Sequence, residues 1–296
     1  RIGKYLTPVP ERSLNEQSWL FMAILFDKLF ASIAFSHFII DIMNGQRGVL
    51  LAYLSVPLML SNTAIGLIGL LYQLVAAILQ PFAGMIADKA GPRWLVAGGV
   101  LWMGAFFSLA LLVPGYPALA FLVLASLGSG MFHPAGSMQS TLIGRDHLVG
   151  KEDTAASFFF FFGQFGYFMG PLLGGPLLGL WGPAGLLLLS VFALPIGAFG
   201  SWQLRKIKRP LLEPATQESF HFSSLASQKW TILILLIVAT CQSWEQQNMQ
   251  IFVPKYLNDR GLQPSIYGLL SALLWEGQPL ATCLAVRWLT ASGGSR

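Results

Sequence analysis

Apolar runs long enough to cross a membrane recur along this chain, and no other feature constrains its fold as tightly. A bilayer core about 30 Å thick needs roughly 20 consecutive apolar residues, because a helix rises 1.5 Å per residue. Eight such runs are legible: Leu29–Leu58, Ala64–Ala87, Trp94–Val113, Ala118–Leu142, Ala155–Leu180, Ala184–Leu204, Trp230–Tyr256 and Ser265–Val286. The connections between them are short and rich in breakers, such as Pro114 to Pro117 and Trp181 to Pro183. Ser61 or Asn62 is placed to cap the second helix. Glu16 to Lys28 reads as an interfacial helix broken by Asp27 and Lys28, with a first span starting at Trp19 as the rival reading.

Composition agrees. Hydrophobic residues make up 54% of the 296 and charged residues 10%, against about 25% charged in soluble domains. A soluble fold this apolar would expose aggregation-prone patches. The net charge of +5 is scattered between apolar runs, with no basic stripe that would track nucleic acid. Cys241 and Cys283 lie inside apolar runs, so no disulfide framework is implied. With the N-terminus inside, fifteen of the eighteen Lys and Arg fall in inside segments, as the positive-inside rule requires. The expected locale is a cell (inner) membrane, with a cytoplasmic N-terminus.

Residues 205–229 form the longest polar connection and carry Pro210 and Pro214, which reads as a cytoplasmic linker. The expected organisation is a segment 1–28, a six-helix bundle 29–204, the linker, and the start of a second bundle, 230–296, that stops about four spans short.

Two motifs carry more information. Gly84, Asp88, Lys89, Gly91 and Arg93 form G-x-x-x-D-[RK]-x-G-x-[RK] between spans two and three. Gly84 is expected to permit close helix approach, and Asp88, at a helix C-terminus where the dipole disfavours an anion, needs a partner. Such a contact would act as a conformational latch. Gly166, Gly170, Pro171, Gly174 and Gly175 form G-x-x-x-G-P-x-x-G-G in span five, with glycines every four residues making a smooth packing face. The bland readings are a polar turn and generic helix packing.

The first motif resembles the loop signature of the major facilitator superfamily, and the second resembles a pattern of its antiporters. Ser36-His37 with Asp41, Tyr72-Gln73, Leu79-Gln80-Pro81 and Gly130 to Pro134 resemble the fosmidomycin resistance group over residues 35–204. The resemblance implies an all-α membrane protein of the major facilitator fold, here a complete first six-helix bundle plus about two helices of the second, in a twelve-span, monomeric, proton-driven exporter.

Polar residues within spans mark the mechanism, because an intramembrane charge needs a cavity or a partner. His37, Asp41 and Asn44 share one helix face, with Arg47 about 60° further round. In the superfamily fold, spans one, four and seven line the cavity. His133 of span four and Glu245, Gln246 and Asn248 of span seven fit that pattern. The alternatives are an Asp41–Arg47 pair that only neutralises itself, a His133 ring bonded to a carbonyl freed by Pro134, and a misplaced span boundary near Glu245. Neither a phosphate-binding loop nor H-E-x-x-H nor a hydrolase elbow is present, and the four histidines are dispersed, so no enzyme, cofactor or metal is expected. The expected activity is proton-coupled efflux of a drug or small metabolite. The alternatives are an uptake symporter and a truncated, non-transporting membrane protein.

Overall fold

The computed structural model describes residues 24–147, 152–205, 207 and 228–274. Helices dominate: α1 Lys28–Ser55, α2 Asn62–Ala90, α3 Arg93–Leu112, α4 Pro117–His147, α5 Glu152–Trp181, α6 Leu187–Ser190, α7 Ala193–Leu204, α8 Lys229–Asp259 and α9 Pro264–Leu274. Most of the N-terminal segment, most of the linker, and the chain from 275 onward, with Glu276 and Cys283, lie outside the described residues.

Among the described residues, four stretches are long and apolar enough to cross a membrane: Asn62–Ala90, Arg93–Leu112, Pro117–Asp146 and Glu152–Leu204. α1 is not among them, although it has the length. Its polar residues Ser32, Ser36, His37, Asp41, Asn44, Gln46 and Arg47 are all buried, so α1 faces protein and not lipid. Conversely, α2 exposes Leu67, Leu70, Leu74, Ile78, Phe82 and Ile86, as a helix in contact with hydrocarbon does.

Local chemistry sets the helix ends. Asp27 caps α1, accepting from the Leu29 and Phe30 amides at 2.9 and 2.8 Å, a favourable placement of an anion at a helix N-terminus. α1 stops at Ser55, short of the expected Leu58, where Pro57 has no N–H to donate to the Tyr53 carbonyl. Ser61 caps α2 through the Ala64 amide.

The sixth expected span is corrected more substantially. Ala184–Leu204 is not one helix but a 3-10 turn at Gly182–Leu186, the short α6, a turn at Val191 and Phe192, and α7. Pro195 explains the interruption. It has no N–H for the Val191 carbonyl, which accepts instead from Leu194 at 3.0 Å.

Glycines set two kinds of backbone geometry. Gly91 ends α2 at φ 85° and ψ 162°, a region open essentially to glycine alone. Gly91→Ala is expected to lower stability by about 1–3 kcal/mol, read as a lower midpoint of thermal unfolding. Along α5, Gly163, Gly166, Gly170 and Gly174 lie against α1, where a Cβ on Gly170 would meet the Ile42 carbonyl oxygen at 2.5 Å and the Gln46 nitrogen at 2.8 Å. Gly175 instead faces α9, against Gly268. α1 is thereby held at backbone-to-backbone distance from α5, which fixes the polar face of α1 in the middle of the helical assembly.

Candidate functional site

Asp41 is the centre of the polar cluster. It is 2% exposed, and three side chains converge on it. His37, one turn earlier on α1, places Nε2 3.0 Å from Oδ2. His133 of α4 places Nε2 3.5 Å from Oδ1. Asn44 donates Nδ2 to Oδ1 at 2.8 Å.

The other ring nitrogens decide the chemistry. His37 Nδ1 lies 2.7 Å from the Phe159 carbonyl and His133 Nδ1 lies 2.8 Å from the Ser129 carbonyl. A carbonyl only accepts, so both Nδ1 atoms carry their hydrogens. Each Nε2 then faces the carboxylate as a bare lone pair unless a further proton is present. A nitrogen–oxygen approach of 3.0 Å calls for that proton, on imidazole or on carboxyl. The His37 ring is held in place by Phe159, stacked at 3.9 Å between centroids.

The three donor atoms lie within 4.8 Å of one another, compact enough for a metal ion to bridge, so two of the histidines expected to be dispersed are adjacent in space. The direct ring–carboxylate contacts are those of a protonated pair. The side chain of His147 and all of His221 lie outside the described residues.

Arg47 is separate from this cluster. The alternative in which it neutralises Asp41 fails, because Arg47 Nη2 bonds Gln247 Oε1 at 2.7 Å and Gln250 Oε1 at 2.6 Å on α8. Its guanidinium lies 4.1 Å over the Tyr72 ring, a cation–π contact. The Tyr72 hydroxyl donates to Asn44 Oδ1 at 2.6 Å, so Asn44 joins the Asp41 cluster to the Arg47 cluster. The reading of His133 as occupied by a proline-freed carbonyl also changes. The carbonyl is that of Ser129, one turn before His133 itself, and the ring still reaches Asp41.

Span seven contributes different residues from those expected. Glu245 is exposed and Gln246 half-buried, and neither meets the cluster. The contacts come from Gln247 and Gln250, with Gln250 Nε2 donating to the Asn44 carbonyl at 2.7 Å and Asn258 Nδ2 to the Ala52 carbonyl at 2.9 Å. Gln247, Gln250, Ile251, Pro254 and Asn258 recur at helical spacing, and that stripe is the signal the sequence offered. Tyr72 and Ser129 carried no such signal.

The α8 residues before Gln246 are almost all exposed, whereas Gln250, Ile251, Pro254 and Lys255 are buried. The described contacts between α1 and α8 lie towards the C-terminal ends of both helices. Beside this junction, α2 and α8 enclose a cavity of about 580 Å³ reached by Gln73, Gln247 and Asn248.

The loop motif is arranged otherwise than expected. Among the described residues, a Cβ on Gly84 would meet nothing within 4 Å, so none of the described helices approaches Gly84 closely. Asp88 and Lys89 are exposed, and neither is hydrogen-bonded or ion-paired through its side chain among the described residues. Arg93 begins α3, stacks on Trp94, and reaches Ser201 Oγ on α7 through Nε and Nη2 at 3.4 and 3.3 Å. The loop is thus linked through Arg93 to α7.

Comparison with known proteins agrees with this architecture. The fosmidomycin resistance protein of Escherichia coli (strain K12) is 28% identical over 155 residues, which are 52% of this chain and 37% of that protein. The match therefore spans well under two thirds of that relative. The family model described as Major Facilitator Superfamily matches residues 31–291. A match over most of the chain, on an all-helical fold with membrane-length apolar helices, makes this protein a multi-pass membrane protein of the Major Facilitator Superfamily.

Proposed function

We propose that the chain forms six spans and the opening helices of a second bundle, and acts by alternating access as a proton-coupled exporter of a drug or small metabolite. The observation that carries this reading is the proton required between Asp41 and its two histidines. It sits in a buried cluster between α1, α4 and α5, and Asn44 of that cluster is tied to α8 through Gln250, so a coupling ion there can be sensed by both bundles.

Residues 205–229 serve as the linker between the bundles. With the N-terminus cytoplasmic in an inner membrane, the junction of α1 with α8 seals the outer side, through Asn258 and the Arg47–Gln247–Gln250 contacts. Protons reach the cluster from the cytoplasmic side through His133, its least buried member, at 29% side-chain exposure. Proton release inward from Asp41 is paired with substrate binding, and opening of the α1–α8 junction then presents substrate to the outside. Asp88 and Arg93 act at the cytoplasmic ends, where the halves must close in the opposite state. The relative's name, fosmidomycin resistance protein, supports export of a toxic small molecule.

The test uses the protein in liposomes with an internal pH dye. A candidate drug on the cytoplasmic side should move protons in the opposite direction to itself, while counterflow with a substrate gradient in either direction separates export from uptake. Substrate flux with no proton movement would reject the coupling.

A further inference from the structure

Arg47 is a buried cation without an anion. It is the largest fully buried side chain among the described residues, at 0% exposure, and an unpaired charge in a membrane interior is costly. Only Nη2 is hydrogen-bonded, to two neutral amide oxygens, and Nε and Nη1 have no acceptor. The nearby carboxylate of Asp41 is already held by His37, His133 and Asn44. Tyr72 offers its ring face, which solvates a cation but does not neutralise it.

One of the two amides leads outward. Gln247 accepts from Arg47 and also lines the cavity between α2 and α8. That cavity, at about 580 Å³, is of the size that holds small organic ligands. Among the described residues, its lining has polar groups at Gln73, Thr240, Ser243 and Asn248, apolar ones such as Trp244, and no charged residue. A cationic ligand would find no carboxylate in the lining and a positive charge behind Gln247. An anionic one would find neutral donors and that same positive charge.

We propose that Arg47 receives the anionic group of an organic anion with an apolar body, seated in the α2–α8 cavity. The amide oxygen of Gln247 occupies the place that an oxygen of the anion takes. Exchange of a neutral acceptor for an oxyanion is favourable, because charge-assisted hydrogen bonds are roughly twice as strong as neutral ones. The apolar body lies against Trp244 and its neighbours. This assignment rests on the transporter reading for its biological meaning, since it names the substrate class, but the binding event itself requires neither proton coupling nor transport.

The test is thermal unfolding of the 296-residue chain in lipid nanodiscs at fixed ionic strength. The probes share one ring and differ in charge: benzoate and phenyl phosphate, neutral benzamide, and cationic benzylamine. At saturation, at least one of the two anions should raise the unfolding midpoint by about 4 °C or more, and benzamide and benzylamine should not. Arg47→Gln should remove the shift. Gln247→Glu, which places a carboxylate beside Arg47, should raise the midpoint without ligand and make it insensitive to both anions, so the proposal stays testable where Arg47→Gln fails to fold. The absence of any anion shift in the unaltered protein, an equal shift with benzamide, or a retained shift in either variant would overturn it. Binding that meets these expectations in a protein that moves no protons would leave this inference standing and the proton-coupled reading rejected.

Discussion

Asp41→Asn is expected to reduce substrate-driven proton movement to the level of empty vesicles while leaving substrate counterflow in place. Asparagine preserves the shape of the carboxylate and its acceptance from Asn44, so the backbone contacts of α1 need not change. What it removes is the charge that makes a proton between ring and side chain favourable. Both Nδ1 hydrogens are committed to the carbonyls of Phe159 and Ser129. Neutral His37 and His133 would therefore present lone pairs, one of which the asparagine amide can satisfy. The cluster becomes neutral and hydrogen-bonded without an exchangeable proton. Counterflow needs the bundles to rock but no net proton transfer, so it isolates the loss to coupling. Proton movement unchanged in the variant, by the same dye measurement, would remove Asp41 from the mechanism.

Gly170→Leu carries the largest expected cost in stability. The neighbours of the new side chain are backbone atoms of α1, the Ile42 oxygen and the Gln46 nitrogen, which cannot rotate aside as a side chain can. Overpacking in a close-packed interior costs about 1–3 kcal/mol, and more where backbone must shift. Here a whole helix has to retreat, and the expected loss is about 3 kcal/mol or more. Size-exclusion chromatography should show the monomer replaced by aggregate. Gly84→Ala is the control. Open space surrounds that position, and alanine is favoured over glycine in a helix by about 1 kcal/mol, so the unfolding midpoint should stay or rise. Equal damage from both substitutions would mean that the α5 glycines are not a packing seam.

The contrast between these two glycines shows what the sequence could disclose. Spacing of four along α5 predicts a smooth face, and that face is what meets α1. The motif glycine at 84 has the same chemistry but no neighbour at all, because α2 turns that side outward, and a one-dimensional pattern does not say which side is outward. Membrane-length helices were legible because hydrocarbon thickness dictates their length. α1 was legible through its polar residues as much as its apolar ones, and its end at Ser55 follows from Pro57. The break between α6 and α7 was missed because no glycine marks it, and its cause, Pro195, lies four residues downstream of the carbonyl it deprives. In the site, the His37–Asp41 pairing follows from helical spacing alone. His133 and Gln250 reach the cluster only through tertiary packing, and in the uniformly polar run that holds Glu245 and Gln247 only helix phase decides that Gln247 is the one to meet Arg47.

The separation of Asp41 from Arg47 gives the resting protein an electrical character. With one proton shared in the histidine cluster, Asp41 and its partners sum to zero, and Arg47 leaves one elementary charge uncompensated in the membrane interior. A charge carried across the full field exchanges about 2.3 kcal/mol per 100 mV, so reorientation of the empty carrier would respond to voltage by up to that amount. Loaded with a monovalent anion and with the Asp41 proton released, the same machinery carries one net negative charge. In the proposed cycle, an inside-negative potential therefore favours both strokes, outward movement of the loaded carrier and inward return of the empty one.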